Sequence, residues 1–212
     1  MTVTLAQMDS RVLGRVEGNS GFYQQQQRYD AINEAIRYTN LWTGFLQQRV
    51  TVGTTVPGRF VYDVPPQVLI PMSVWFDGKE LRKPPLSEMA TARRDFLVRT
   101  SSVDGMTRSW CCIGLRKVVI IPADMRGGHV LEVGGIIEPT PLVNPGDFIS
   151  IPDQYSELVE EYAWFTLVLT EGGKVFADAK IAWDKFNRLM HELGIWTMEK
   201  NPRFMEQAGN RK

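Results

Sequence analysis

The spacing of apolar residues changes twice along this chain, and that double change constrains the fold more than any other feature. Leu5, Met8, Val12 and Val16 recur at intervals of three and four, which places them on one face of a helix. Gly18-Asn-Ser-Gly21 interrupts that helix. A longer one follows, with Phe22, Tyr29, Ile32 and Ile36 on one face and Leu41 to Leu46 near its end. At Gln48 the period becomes two: Val50, Val52, Phe60, Tyr62 and Val64 alternate with polar residues around a Val56-Pro-Gly58 turn. Val68 to Phe76 reads as a strand, and Asp77-Gly78 predicts a hairpin into Lys79 to Arg82. Pro84-Pro85 stops it. Leu86, Met89 and Arg93 then predict a short helix capped by Ser87.

Two more strands, Arg116 to Ile121 and His129 to Ile137, are joined through Gly127-Gly128. The run from Lys117 to Pro122 is continuously apolar, as a strand covered on both faces would be. Connections this short exclude parallel crossovers, so the β region is expected to be antiparallel. Pro139, Pro141 and Pro145-Gly146 mark its exit, and the helical period returns. Ile151-Pro-Asp153 opens a helix with Tyr155, Leu158, Tyr162, Phe165 and Leu169 as its buried stripe, and Gly172-Gly173 ends it. Phe176, Ala179, Trp183, Phe186, Met190 and Leu193 share a face of the last helix, and after Gly194 the chain ends in a polar tail. The expected fold is α+β. Helices from residues 1–47 and 149–196 form an antiparallel bundle, 48–148 is an inserted antiparallel β module, and 197–212 is a tail.

Composition narrows function. With 43% apolar and 23% charged residues, this is a folded chain rather than a disordered one. Lys+Arg and Asp+Glu are both 24, which argues against a protein that holds DNA by sheer basicity. The balance is nevertheless sorted along the chain. Residues 127–171 hold Glu132, Glu138, Asp147, Asp153, Glu157, Glu160, Glu161 and Glu171 with no Lys or Arg, a net charge of −8, between segments of net positive charge. The two cysteines, Cys111 and Cys112, are adjacent and read as strand residues, not a disulfide framework. Ala163 to Leu169 is too short to span a bilayer, and the first residues lack the pattern of a signal peptide. A soluble protein made in a reducing compartment, with no membrane partner, is expected.

Catalytic chemistry finds little to stand on. Neither His129 nor His191 has a second ligand at metal spacing. Gly172-Gly-Lys174 lacks both the preceding glycine and the following Ser or Thr of a phosphate loop. Glu160 and Glu161 point about 100° apart on a helix and read as a solvated face. Trp164, Trp183 and Trp196 lack interleaved cations, so they suit core or subunit contact better than base stacking. No catalytic residue, cofactor or metal is expected.

The order of several segments resembles the head-to-tail connector adaptors, or tail-tubular neck proteins, of tailed bacteriophages. They are Tyr29 to Arg37, Phe60 to Pro65, Val74 to Leu81, Trp110 with Ile120 to Pro122, Leu131 to Gly135 with Pro139, and Ile151 to Tyr155 leading into Leu158, Tyr162 and Ala163. Together they span roughly Tyr29 to Leu193. The resemblance implies a structural virion protein of the neck, synthesised in the host cytoplasm. It would assemble with itself, commonly as a dodecameric ring, under the portal protein. The ring would extend the DNA channel and dock a tail or nozzle protein, with packaged DNA passing through unread. The bundle would form the ring wall and the β module would project toward the tail. A terminal extension would dock on the portal, and here Arg203, Phe204, Arg211 and Lys212 are its candidates. Trp183, Ile195 and Trp196 are candidate interface anchors. Glu132, Glu138, Asp147, Asp153, Glu157, Glu160 and Glu161 are candidates for an acidic channel lining that would let DNA slide. The leader before Tyr29 is longer than the resemblance predicts. The alternatives are another tail or neck completion protein, a carboxylate-dependent hydrolase using Glu160, Glu161 or Asp147, and a module that binds peptides along a β edge.

Overall fold

The structure, a computed structural model, describes residues 3–16, 22–84, 107, 109–171 and 176–200, with the backbone alone described at 171, 176–178 and 193–200. The expected helix around Leu86 to Arg93, the glycine breaks at 18–21 and 172–173, and Arg203, Phe204, Arg211 and Lys212 lie outside the described residues. The chain divides into two compact units: Met1–Leu46 with Pro139–Lys212, and Gln47–Glu138.

The first unit is helical. Helix α1 (Leu5–Arg15) starts with a capping box in which Thr4 and Gln7 satisfy each other's free N–H groups. Helix α2 (Gln25–Thr43) shows what the glutamine run does. Gln27 Oε1 accepts from the Gln24 N–H, Gln25 donates to the Tyr29 hydroxyl, and Gln26 donates to Asp30. The helix ends at Gly44, whose φ of 61° suits a residue without Cβ. Asp9 of α1 and Arg28 of α2 form a bidentate pair at 2.6 and 3.0 Å. A 3₁₀ turn at Asp153–Tyr155 leads into α3 (Ser156–Glu171), and α4 spans Phe176–Lys200. The last helix runs past the expected boundary at 196: α4 continues through Gly194 to Lys200. One interior glycine costs a helix only about 1 kcal/mol, and the good helix formers Met198, Glu199 and Lys200 extend the turn beyond it.

Leu5, Met8 and Val12 of α1 share a core with Ile32 and Ile36 of α2, Leu158, Val159 and Ala163 of α3, and Phe186 of α4. Helix α3 touches the other three helices, so its buried arc is wider than one stripe. Val159, Leu167 and Val168 are buried beside Leu158 and Tyr162, whereas Leu169, expected inside, is exposed. Aromatic rings bind α2, α3 and α4 together: Tyr38 stacks on Tyr162 at 4.7 Å and Phe165 lies 4.9 Å from Trp183.

The second unit holds β1 (Gln47–Thr54), β2 (Val61–Asp63), β3 (Val68–Phe76), β4 (Lys79–Glu80), β5 (Ser109–Ile113), β6 (Lys117–Ile121) and β7 (Val130–Ile137). They form two antiparallel sheets, ordered β1-β7-β3-β4 and β2-β6-β5. The protein is therefore α+β. Tyr62, Val68, Val74, Trp110, Val118, Ile120, Leu131 and Val133 make the shared core. Val119 and Ile121 fill a second cluster with Cys111, so β6 is covered on both faces, as its apolar run predicts. The strand expected from Phe60 to Val64 shortens to three residues. The Asp77-Gly78 hairpin forms, with φ values of 46° and 76°. Strand β7 carries two adjacent glycines because its neighbours come too close for side chains. A Cβ on Gly135 would sit 2.1 Å from the Ile70 carbonyl oxygen, and one on Gly134 would sit 2.4 Å from the Trp75 ring.

The prolines that mark the end of the β region in sequence do not belong to it in space. Asn33 of α2 clamps the backbone of Leu142 with two hydrogen bonds of 2.9 and 2.8 Å. The N–H groups of Leu5 and Ala6 donate to Asp147 and Pro145, and that of Ile149 donates to Val3. Residues 139–148, read from sequence as part of the β module, thus lie in the helical unit.

Candidate functional site

Glu157, Glu160 and Glu161 stand at i, i+3 and i+4 on α3, a spacing that brings all three to one side of the helix. The sequence reading of Glu160 and Glu161 as a solvated face is corrected here. Glu161 is 0% exposed and the Glu160 side chain is mostly covered, because α1 and α4 flank α3 and each supplies a cation. Arg15 donates from Nε to Glu160 at 2.7 Å and places Nη2 2.9 Å from Glu161 Oε1. Lys185 Nζ lies 2.5 Å from the same Glu161 oxygen and 2.8 Å from Glu157. The Arg15 guanidinium also lies over the Trp164 ring. Among the described residues, Glu161 Oε2 has no hydrogen-bond partner.

Charge within this cluster is unbalanced, with three carboxylates against two cations, and proton affinities respond accordingly. Burial alone would lower Arg15, but its bond to Glu160 and the charges of Glu161, Glu160 and Glu157 hold it above its ordinary value. Hydrogen bonds to Glu157 and Glu161 raise Lys185. The Lys185 bond keeps the Glu157 carboxyl below its usual range. Across the helix, burial and then the charge of Glu34 push the Tyr162 hydroxyl up to about 12. The arrangement is an ion-pair lock between three helices. It offers no carboxylate pair open to a substrate.

The other acidic candidates are scattered. Glu132, on β7, pairs with Arg49 of β1, whose guanidinium stacks over Trp75 at 4.7 Å. Asp147 accepts the N–H groups of Asn144 and Val143, both at 2.8 Å, and these bonds hold its carboxyl below the ordinary range. Glu138 and Asp153 are exposed. The structure brings together only Glu157, Glu160 and Glu161. Trp183 is half-buried and shares its ring faces with Phe165 and Phe186. Ile195 and Trp196 lie on α4, and their side chains are outside the described residues.

A second polar cluster, in the β unit, went unseen in sequence. Asp124 is buried and accepts three hydrogen bonds, from the Thr55 hydroxyl (2.5 Å), the Arg126 N–H (2.9 Å) and the Gly127 N–H (3.1 Å). Burial would raise its carboxyl, but those bonds and the nearby His129 prevail and lower it. His129 stands between two carboxylates, with Nδ1 2.5 Å from Asp77 and Nε2 3.9 Å from Asp124. Asp124, Thr55 and His129 are more than seventy positions apart at their extremes, so no local motif could reveal them. For the helical cluster a signal did exist: the Glu157-Glu160-Glu161 spacing, and Arg11 with Arg15 one turn apart on α1.

Among the described residues, no group of three or more His, Cys, Asp or Glu could hold a metal ion, and no helix is long and apolar enough to cross a membrane. A family model described as SU10 adaptor protein matches residues 3–208. No curated protein matches the chain closely enough to add to that finding. The chain belongs to this family of bacteriophage adaptor proteins.

Proposed function

We propose that this adaptor protein assembles as a ring, commonly of twelve copies, under the portal protein of a tailed phage, where it extends the DNA channel and docks the tail or nozzle protein. The observation that carries this reading is the family match over 3–208, which covers both the helical unit and the β unit. In this reading the protein is a structural part of the virion neck and performs no reaction. The C-terminal Arg203, Phe204, Arg211 and Lys212 reach the portal, and Ile195 and Trp196 anchor subunit contacts. Glu160 and Glu161 suit a channel lining least, because their side chains are covered inside the helical unit. Glu132, Glu138, Asp147, Asp153 and Glu157 remain the candidates for a lining that repels phosphate.

The test is to mix the full chain with purified portal rings of the same phage and to count bound copies by native mass spectrometry. A defined multiple of portal subunits is expected, and a chain lacking 201–212 should bind far more weakly. A wild-type chain that ignores the portal would overturn the proposal.

A further inference from the structure

The end of the β unit where Thr54 pairs with Val130 gathers three turns: β1–β2 at 55–60, β3–β4 at 77–78 and β6–β7 at 122–129. Two of them are tied by bonds that no change of protonation near neutrality alters. The Thr55 N–H donates to the His129 carbonyl, the Gly128 N–H to the Thr55 carbonyl and the Gly58 N–H to the Asp124 carbonyl, each at 2.8 Å. The buried Asp124 carboxylate adds its bonds from Thr55, Arg126 and Gly127.

The third turn is held differently. Its second strand, β4, is two residues long, and Asp77, Gly78, Lys79 and Glu80 are all exposed. Asp77 has a φ of 46°, in the left-handed region that disfavours residues with a Cβ. Its N–H donates to the Val130 carbonyl at 2.9 Å, and its Oδ1 accepts the Val130 N–H at 2.8 Å. Its Oδ2 lies 2.5 Å from His129 Nδ1. The His129 ring stands between that carboxylate and Asp124, 3.9 Å from Nε2, with the Phe76 ring 4.8 Å away. At 33% exposure the ring is open to solvent protons.

An imidazole ordinarily changes charge within roughly pH 5–8. Charged, this ring donates from Nδ1 to Asp77, turns a second N–H toward Asp124 and offsets the two carboxylates it separates. Neutral, it keeps one N–H, and the carboxylates face each other across an uncharged group. The other charged groups of these elements change little in that range. Lys79 and Glu80 are exposed neighbours of opposite sign, and Arg126 is exposed. Arg59 turns to Asp63 and the Tyr62 ring, and Glu132 pairs with Arg49. Burial pushes the Tyr62 hydroxyl above its ordinary 10.0.

We infer that His129 is a proton-operated clasp: charged, it binds the β3–β4 hairpin to the other two turns, and neutral, it lets the hairpin move against them. The clasp is closed on the acid side and opens as pH rises through the titration of His129. Its lower limit is the protonation of Asp77, whose bond to His129 keeps the carboxyl below its ordinary 3.8. The device works within a single copy, whether or not the protein assembles as a ring.

Nuclear magnetic resonance of the full chain tests it. Ring C–H shifts follow the titration of His129, and exchange of the Val130 amide hydrogen, corrected for the intrinsic pH dependence, reports the hairpin contact. Protection at Val130 should fall about three- to fivefold with the same midpoint, the size expected of a partly exposed ion pair. The Ile120 amide, which donates to the Phe60 carbonyl in the second sheet, should not change. His129→Gln keeps a donor without the charge, and Asp77→Asn keeps an acceptor for Val130; both should remove the step. A flat Val130 profile in wild type overturns the inference. So does a step that survives in either variant, which belongs to another group, and so does one shared by Ile120, which marks loosening of the whole unit.

Discussion

Lys185 offers the sharpest test of the ion-pair lock. Lys185→Met removes the cation bonded to both Glu157 and Glu161 and leaves Arg15 as the bonded cation of the cluster, with Arg188 acting on Glu157 through its charge only. Breaking a fully buried pair by deleting one partner costs about 3–5 kcal/mol. The Lys185 side chain is 30% exposed and that of Glu157 is half exposed, so water screens part of the loss and about 2–3 kcal/mol remains. In a chain of this size that corresponds to a fall in Tm of roughly 5–10 °C. Glu161→Met should cost less, about 1 kcal/mol. It leaves Arg15 with Glu160 and Lys185 with Glu157, and it puts apolar volume into a buried site. The double variant should then be more stable than Lys185→Met alone. Urea unfolding followed by circular dichroism at 222 nm reads these differences from the helical unit. A loss within about 0.5 kcal/mol for Lys185→Met, or a larger loss for Glu161→Met, would refute the reasoning.

The same lock sets a pH window. Glu157 is held below its ordinary value of 4.5, so its contribution is complete above that value and disappears as pH falls through the lowered one. Lys185 is held above its ordinary 10.5, so its contribution is complete below that value and is lost as pH rises through the raised one. The gap between wild type and Lys185→Met should therefore be widest between roughly pH 5 and 10 and should narrow on both sides.

Three further outcomes are expected. Gly135→Ala should destabilise the β unit by about 3 kcal/mol or more, and Gly134→Ala by less. The first meets the Ile70 backbone, while the second meets a Trp75 ring that can shift; near-ultraviolet circular dichroism of Trp75 and Trp110 follows both. Asp124→Ala should cost about 3 kcal/mol, because it strands the Thr55 hydroxyl and two N–H groups; thermal unfolding and hydrogen exchange at Gly127 and Arg126 measure it. Gly14→Ala, on α1 with nothing within 4 Å of the new methyl, should stabilise the chain by about 0.5–1 kcal/mol in the same melts.

Much of the fold was legible where a residue's neighbours are decided locally. The three-and-four spacing of Leu5, Met8 and Val12 marks α1's buried face, Asp77-Gly78 marks a hairpin, and the run Lys117 to Ile121 marks a strand covered on both faces. Legibility failed where burial depends on what arrives from elsewhere in the chain. Glu161 looks like a surface residue until helices α1 and α4 lie on either side of it with Arg15 and Lys185. Gly134 and Gly135 carry no signal of how close Trp75 and Ile70 come. The prolines at 139, 141 and 145 correctly end the strand, but only the Asn33 clamp on Leu142 shows which unit owns them.

Gln47 and Ile136 sit side by side in neighbouring strands, about 5 Å apart, and this bears on how the helical unit can form. To α2 and α3, the stretch Gln47–Glu138 is a detour of about ninety residues whose two ends must meet. A β unit that has already closed delivers those ends as neighbours, so the helices search as if joined by a short hairpin. By loop-closure scaling the saving is roughly 3 kcal/mol of chain entropy. The inserted unit thus acts as a splint for the helices it separates.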